Sequence, residues 1–463
     1  MCCERLRKSW HMPLSRRDFI ARATVALAAG ATAAACGRNG DSEADLDAAS
    51  DSTPLPRPAF LRNADDWNEV RDQFALSEDY IHMSALYVAS HPKAVRDAIE
   101  NYRKELDSNP VAYLNQQNRR RVNAALSAAA DYLGVDEPND IALTDSTTMG
   151  LGLVYSGLRL SKGDEVLSTT RDYYATHEAL RLASMHKQIS VRQVPLYENI
   201  HDVSEESLTD SLVKSIRPST RALALTWVHS GTGLKLPLRR ISDAVKKINA
   251  GRGEKKQILI CVDGVHGFGV EDATMSDLGC DFFMAGCHKW LFGPRGTGLI
   301  WGSPRGWENM LATVPSFYDD GTRNAWMTGT DVNGRTDGRR MSPGGFKPFE
   351  HQWAITEAFA LHREIGKARI ASRTHELARQ LKEGLKGMKH ITLRTPLADT
   401  LSAGIVCFDV NKMNPFAAVN RLRKRHVIAT VTPYAVRYVR LAPSIRNSPA
   451  EVEAVLREVH ALR

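Results

Sequence analysis

Several features that often classify a chain are missing from this sequence. None of its seven cysteines forms the Cys-x-x-Cys spacing of zinc sites and thioredoxin-type centres. There is no internal repeat, and no apolar run is strong enough to be a comfortable membrane span. The composition is ordinary, with 43% hydrophobic and 25% charged residues, which excludes wholesale disorder, collagen-like repeats and a polytopic membrane protein. The 463 residues predict one large domain, or a large domain with a smaller partner.

A concentrated stretch of positive charge in the body of the chain is missing as well. The formal net charge is +8, but residues 1–35 hold six Lys and Arg residues against only Glu4 and Asp18. The remaining excess is spread over the rest of the chain, too thinly for a surface that follows a phosphate backbone. The sequence therefore predicts no nucleic-acid partner.

The first 36 residues contain an export pattern. Residues 15–18 read Ser-Arg-Arg-Asp, a twin-arginine pattern, and a mild apolar run leads to Cys36 in a stretch that resembles a lipobox. A short Ala-rich core helix could look similar, but the arginine pair ahead of the run and the acidic stretch behind it favour export. We therefore expect residues 1–36 to engage the twin-arginine export machinery.

This export route predicts a periplasmic or cell-surface protein that touches the membrane only through its signal or a lipid anchor at Cys36. Residues 37–58 have low hydrophobicity and several prolines, and we expect them to be a tether. Because twin-arginine export carries folded proteins, a cofactor inserted before export is favoured.

From residue 122 onward, short apolar runs alternate with helical stretches, which predicts a mostly parallel sheet covered by helices. The predicted strands are Glu165–Ser168, Ala222–Val228, Ile258–Val262, Phe282–Ala285 and Gly298–Trp301. A ligand site should lie at their carboxyl ends. Cys261 and Cys407 fall in predicted strands and are expected to be inert core residues.

The C-terminal part follows a different pattern. Residues 318–348 are predicted to be a loop, and a long helix is predicted from Trp353 to about Leu385. Two further strands, Gly404–Val410 and Tyr438–Leu441, with a helix between them predict a small α+β domain. The expected organisation is an N-terminal segment, a large domain and a small domain, at residues 59–121, 122–350 and 351–463.

Two segments carry the most specific chemistry. A buried strand ends in Asp263, and His266 follows from the turn; a second strand delivers His288 and Lys289 into a Gly-Pro-Gly loop. An acid and a lysine at nearby strand ends can act together on a pyridinium cofactor. The lysine amine forms a Schiff base, and the carboxylate keeps the ring nitrogen protonated so that the ring can accept electrons from a substrate carbanion.

These two segments resemble the signature of the class V aminotransferase family, which uses pyridoxal 5'-phosphate (PLP) and has the fold of the type I PLP-dependent enzymes. The resemblance covers roughly Ala59 to Arg463. It implies a large domain with a mostly parallel seven-stranded sheet, a small α+β C-terminal domain, PLP as cofactor and a homodimer. The sequence is most similar to the isopenicillin N epimerase-like branch, from residues 288–294 and 343–354.

The resemblance assigns roles to the residues of the two segments. Lys289 matches the Schiff-base lysine, and Asp263 the partner of the pyridine nitrogen. His266 takes the place of the residue near the cofactor's phenolic oxygen, and His288 matches a histidine that contacts the phosphate.

Other positions follow from the same register. Thr147 and Thr148, in a segment that opens a helix, match the phosphate contacts; hydroxyls and free N–H groups at a helix N-terminus suit an anion, although a plain N-cap is the alternative. Tyr173 takes the place of a histidine that stacks on the pyridine ring, because an aromatic face is what is required there; ordinary packing is the alternative.

Two assignments have a close competitor. At the strand end that meets the phenolic oxygen, His229 is preferred over Ser230. Arg440 matches the arginine that binds the substrate carboxylate by a bidentate fork, with Arg437 as its main competitor. No metal ligand set is predicted.

The sequence also departs from the family pattern. Cysteine desulfurases carry a nucleophilic Cys between the lysine and the last domain, but residues 288–406 contain none, so the usual persulfide route is not expected. The family's Ser three positions before the lysine is Gly286. The segment that reaches a neighbouring subunit's phosphate is replaced by the region of Glu350 and His351.

The expected function is therefore PLP-dependent chemistry at the α-carbon of an amino-acid substrate. Epimerisation, transamination and β-elimination by a carbon–sulfur lyase remain open. An alternative of a different class is a lipid-anchored binding protein that has kept the fold without turnover.

Overall fold

The structure is a computed structural model that describes residues 59–462. The predicted twin-arginine signal, the lipobox at Cys36 and the tether at 37–58 lie outside these residues. Within residues 59–462, no helix combines the length and the apolar character needed to cross a membrane.

The described chain alternates strands and helices along most of its length. The strands are β1 Ile81–His82, β2 Ile141–Thr144, β3 Glu165–Thr169, β4 Ser190–Val194, β5 Thr220–Thr226, β6 Leu259–Asp263, β7 Phe282–Gly286, β8 Gly298–Gly302, β9 Ile391–Leu393, β10 Val406–Val410, β11 Val427–Ile428, β12 Thr430–Val431 and β13 Val439–Leu441. The helices are α1 Trp67–Asp72, α2 Lys93–Ser108, α3 Pro110–Leu133, α4 Thr147–Gly157, α5 Tyr174–Lys187, α6 Glu205–Lys214, α7 Leu238–Ala250, α8 Met275–Leu278, α9 Pro304–Glu308, α10 Asp320–Thr328, α11 Gly338–Met341, α12 Phe349–Trp353, α13 Ile355–Ile365, α14 Lys367–Lys386, α15 Pro415–Lys424 and α16 Pro449–His460.

A seven-stranded sheet forms the centre of the large domain, in the order β2-β8-β7-β6-β5-β3-β4. Only β8 runs against the others, so the predicted mostly parallel sheet is confirmed. All five predicted strands are present. The carboxyl ends of β2, β5, β6 and β7 meet at one edge, because these strands are parallel to one another.

The strands of this sheet are apolar on both faces because each face has its own hydrophobic core. In β6, Ile260 and Val262 pack into one core, whereas Leu259 and Cys261 pack into the other. This alternation is the two-residue period of a strand covered by helices on both sides.

A four-stranded antiparallel sheet, in the order β12-β13-β10-β9, forms the small C-terminal domain. A third core lies against it and includes Phe408, Leu381 and Val455. The two C-terminal strands predicted from the sequence correspond to β10 and β13, with α15 between them. The boundary between residues 350 and 351 stays a prediction. β1 pairs with β11, so the segment before residue 121 also joins this part of the chain.

Two predictions of local structure were wrong. The predicted loop at 318–348 contains α10 and α11; in α10 only Ala325 is buried, so no apolar periodicity marks this helix. The predicted continuous helix from Trp353 to about Leu385 is broken at Gly366, whose φ of 93° does not fit an α-helix.

Candidate active site

Four strand ends place the candidate residues at one edge of the sheet. β2 leads into Ser146 and the start of α4, β5 leads to Ser230, β6 ends at Asp263, and β7 leads to Lys289. The carboxyl edge of a parallel sheet is the usual ligand site of such folds.

A cavity opens at this edge, with about 750 Å³ of empty space when the solvent at its mouth is included. Eight of the nine predicted site residues line it: Thr147, Thr148, Tyr173, Asp263, His266, His288, Lys289 and Arg440. Sequence positions almost 300 residues apart are therefore brought together.

Lys289 lies against His266, with 3.5 Å between Nζ and Nε2. Burial lowers the pKa of Lys289 to about 8, which leaves part of the amine neutral and nucleophilic at neutral pH. Trp290 Nε1 donates to His266 Nδ1 over 3.4 Å, and burial holds the pKa of His266 well below its usual range. The neutral imidazole therefore carries its hydrogen on Nε2, on the side of the lysine.

Asp263 is a buried carboxylate at the floor of the cavity. Its Oδ1 accepts a hydrogen bond from the Val265 backbone N–H over 3.2 Å. Burial raises the pKa of Asp263 to about 6, and the nearby Lys289 opposes this rise. A buried carboxylate of this kind is stabilised by a cationic N–H group from a ligand, which a pyridinium ring supplies.

The start of α4 forms an anion cradle. The helix begins at Thr147, and Ser146 caps it by accepting from the Met149 N–H over 3.1 Å. The Gly286 N–H donates to Thr147 Oγ1 over 2.8 Å. Nearby, His288 Nδ1 is buried and has no hydrogen-bond partner among the described residues. An orphaned ring nitrogen beside a helix N-terminus fits a phosphate group.

PLP offers a phosphate, a pyridine nitrogen and an aldehyde, and the cavity presents a partner for each. Thr147, Thr148 and His288 would hold the phosphate. Asp263 would pair with the ring nitrogen, and Lys289 would hold the aldehyde carbon covalently. The residues present therefore fit this cofactor.

Gly286 stands where the family has a serine, and the structure gives a physical reason. A Cβ at Gly286 would lie 2.9 Å from His288 Cε1 and 3.1 Å from Thr147 Oγ1. The space of a serine side chain is thus taken by His288 and Thr147.

Arg440 is buried in β13, and two hydrogen bonds fix its guanidinium group. Nη1 donates to the Ser230 carbonyl and Nε to Thr430 Oγ1, each over 3.0 Å. Among residues 59–462 no hydrogen bond engages Nη2, and because Arg440 lines the cavity, this nitrogen is the one available to a ligand. The competitor Arg437 is exposed and lies over the Phe416 ring at 5.3 Å, so the structure places Arg440 at the site and Arg437 outside it.

His229 is the one predicted residue that does not line the cavity. It is 1% exposed, and its Nε2 lies 3.9 Å from Asp172 Oδ1, behind the wall. Ser230, the competitor, lines the cavity instead. Both residues lie in the turn region that follows β5, and a sequence does not show which of two adjacent polar residues in such a segment faces a ligand.

Sequence reasoning also missed Asp172 and Tyr434. Asp172 is buried and accepts from Ser168 Oγ, the Thr169 N–H and the Thr226 N–H, which ties the ends of β3 and β5 together. Tyr434 contacts Ser230 across 204 positions of sequence. The contacts of Asp172 with Thr226 and of Tyr434 with Ser230 have no local signal, because both depend on which strand ends become neighbours.

The lowered pKa of Lys289 gives a prediction for the apoprotein. We expect its rate of PLP capture to rise about tenfold between about pH 7 and 9 and to level off above, since the neutral amine is the reactive form and the pKa is about 8. Stopped-flow absorbance measures this rate. A rate that keeps climbing beyond about pH 10 would show an unshifted lysine.

Fold and cavity together define the class of the fold type I PLP-dependent enzymes. The family model "Aminotransferase class-V" matches residues 88–439. The chain belongs to the class V aminotransferase family, and PLP is its cofactor.

Curated relatives have different activities. Isopenicillin N epimerase from Streptomyces clavuligerus is 27% identical over 345 residues, which is 74% of this chain and 84% of the relative. A probable cysteine desulfurase from Pseudomonas aeruginosa is 27% identical over 240 residues, 50% of this chain and 56% of the relative.

Solved structures share the fold. A mutant of C-DES with glycine covalently linked to the PLP cofactor has a TM-score of 0.76 and 20% identity, and the match covers 84% of this chain and 98% of that one. The apo cysteine desulfurase from Thermococcus onnurineus NA1 has a TM-score of 0.74 and 18% identity, with 85% and 97% covered. These matches confirm the predicted fold class.

Proposed function

We propose that this protein acts at the α-carbon of an amino acid and is an epimerase of the isopenicillin N epimerase kind or an aminotransferase. The observation that carries this proposal is that Lys289, Asp263 and Arg440 meet in one cavity. The long match to an epimerase relative supports the first choice.

PLP, when bound, supplies an electron sink for negative charge at the substrate Cα. The residues of this chain do the rest. Arg440 Nη2 binds the substrate carboxylate and sets which substituent of Cα faces the lysine. Lys289 Nζ would accept the Cα proton, because burial lowers its pKa to about 8 and leaves part of the amine neutral. The Asp263 carboxylate keeps its charge beside the ring nitrogen.

A carbon–sulfur β-lyase is the second candidate. It is supported by the fold shared with a structure described as the cystine C–S lyase C-DES. The cysteines of the described chain, Cys261, Cys280, Cys287 and Cys407, are all buried. Burial raises the pKa of Cys287 and of Cys407 to about 12, which speaks against a nucleophilic thiolate and thus against the persulfide route of a desulfurase.

Product analysis tests these candidates. The purified protein, loaded with PLP, is incubated in deuterium oxide with L- and D-amino acids that include cysteine conjugates. Deuterium at Cα with the opposite isomer indicates an epimerase, a keto acid an aminotransferase, and pyruvate with a thiol a lyase. If the loaded protein exchanged no Cα hydrogen of any substrate, the alternative of a non-catalytic binding protein would be supported instead.

A homodimer is part of the proposal. Large apolar side chains with high exposure concentrate between residues 311 and 346, among them Trp326 at 80% and Phe346 at 84%. Exposed apolar surface of this kind favours a subunit contact. Light scattering of the holoenzyme should give the mass of a dimer, and a monomer would contradict this part.

We also propose export by the twin-arginine route and lipid attachment at Cys36. Replacing Arg16 and Arg17 together by lysine should retain the precursor in the cytoplasm, and Cys36→Ser should release the exported protein from the membrane fraction. Arg22→Lys is the matched control. Normal export of the double variant would contradict the proposed route.

A further inference from the structure

Tyr434 is a tyrosine of the C-terminal domain that reaches the cavity wall. It lies between β12 and β13, and its hydroxyl is 2.7 Å from Ser230 Oγ. Its ring packs against Gly231 so closely that a Cβ there would lie 3.0 Å from Cε2. The ring also meets Tyr173 edge-on, with 6.0 Å between centroids. Tyr434 thus contacts a wall residue, its neighbour and the predicted stacking residue.

The C-terminal domain holds Ser230 at two atoms. Arg440 Nη1 donates to the Ser230 carbonyl over 3.0 Å, and Tyr434 meets the Ser230 hydroxyl. The first contact fixes the backbone and the second fixes the side chain. The hydroxyl of Ser230 therefore has one preferred direction.

The Ser230 hydroxyl can present its hydrogen to a ligand in the cavity. Between residues 59 and 462, Ser230 Oγ is the one hydrogen-bond partner of the Tyr434 hydroxyl. Burial raises the pKa of Tyr434 above its usual range, so the phenol keeps a hydrogen that it can donate to Ser230 Oγ; either oxygen can be the donor in this pair. When Tyr434 is the donor, the hydrogen of Ser230 is free for a ligand, and Ser230 lines the cavity.

A cofactor ring that Asp263 holds would share the cavity with this donor. Ser230 follows β5, and Asp263 ends the neighbouring strand β6. Both residues line the cavity, and the strands that lead to them lie about 4.8 Å apart, so the Ser230 hydroxyl is a candidate donor to the ring oxygen of a pyridine held by Asp263.

We propose that Tyr434 is a positioning residue, which orients the Ser230 hydroxyl so that it donates to the ring oxygen of PLP. The inference rests on the proposed function, because it requires PLP between Asp263 and Lys289. It assigns the C-terminal domain a second role beside the carboxylate contact of Arg440.

The absorbance spectrum of the loaded protein tests this inference. A donor favours the ionised ring oxygen, so Tyr434→Phe should move part of the bound cofactor from the band at about 400–430 nm to one near about 330 nm. PLP affinity should fall about 3- to 10-fold, the value of one hydrogen bond. Ser230→Ala should do the same, and the double variant should lose no more than either single variant.

Gly231→Ala is a second way to remove the contact between the Tyr434 and Ser230 hydroxyls. Its Cβ would press on the Tyr434 ring and displace the hydroxyl without removing it, so we expect the spectrum of Tyr434→Phe. Tyr438→Phe, in the same connection but away from the cavity, is the matched control and should match the wild type.

Two results would overturn the inference: a wild-type spectrum and affinity in Tyr434→Phe, or losses in Tyr434→Phe and Ser230→Ala that add. A wild-type protein that binds no PLP would be a failure of the proposed function instead. If Tyr434→Phe failed to fold, the spectrum and the PLP affinity could still be measured in Gly231→Ala and Ser230→Ala, because both variants keep the phenol.

Discussion

Lys289→Ala is expected to lose the absorbance band at about 400–430 nm and essentially all turnover. Lys289 is the one lysine that lines the cavity of the described chain, and its amine would both hold PLP and accept the Cα proton. Loss of the proton transfer alone costs roughly 10²- to 10⁴-fold in rate. Absorbance and the exchange of Cα hydrogen in deuterium oxide measure the two roles separately.

PLP should still bind this variant, although without the covalent link. Thr147, Thr148 and His288 remain for the phosphate, and Asp263 remains for the ring nitrogen. A small amine added to the solution should restore part of the exchange, because it replaces only the missing group. Lys255→Ala, at an exposed position before the amino end of β6 and thus away from the carboxyl edge that carries the site, is the control. Wild-type exchange in Lys289→Ala would exclude the proposed mechanism.

The sheet could be predicted where strands are apolar on both faces. β5, β6 and β7 lie inside the sheet between two cores, so their sequences are continuous apolar runs. β4, which was not predicted, is an edge strand with polar residues and partial exposure. β2 was also missed, because its four residues run directly into the helix-capping segment.

In the candidate site, too, only residues with a clear local sequence pattern could be predicted. Lys289 and Asp263 could be predicted, because each follows a strand with a recognisable signature. Tyr434 could not, because its contact with Ser230 joins two domains over a long separation in sequence. Which of His229 and Ser230 faces the cavity depends on the path of the chain after β5, where His229 lies near Asp172 and Ser230 contacts Arg440 and Tyr434. These contacts exist only in the assembled fold.

Arg440→Lys is expected to raise the KM for the amino-acid substrate about 30- to 1000-fold. A lysine keeps the charge but loses the planar fork that binds a carboxylate at two atoms, and a buried charged contact of this kind is worth about 2–4 kcal/mol. A substrate analogue that lacks the carboxylate should bind wild type and variant equally, because it never uses the fork. This comparison separates a lost carboxylate contact from a general disturbance of the cavity.

A general disturbance of the cavity is an alternative explanation for a raised KM, because Arg440 also donates hydrogen bonds to the Ser230 carbonyl and to Thr430 Oγ1. If those contacts were its only role, Arg440→Lys would weaken the analogue and the amino acid alike and would change the absorbance spectrum as Ser230→Ala does. Arg437→Lys, on the exposed side of the same connection, should leave both KM values unchanged. An unchanged KM in Arg440→Lys together with a raised KM in Arg437→Lys would move the carboxylate site to Arg437 and would require the connection between β12 and β13 to close over the cavity during binding.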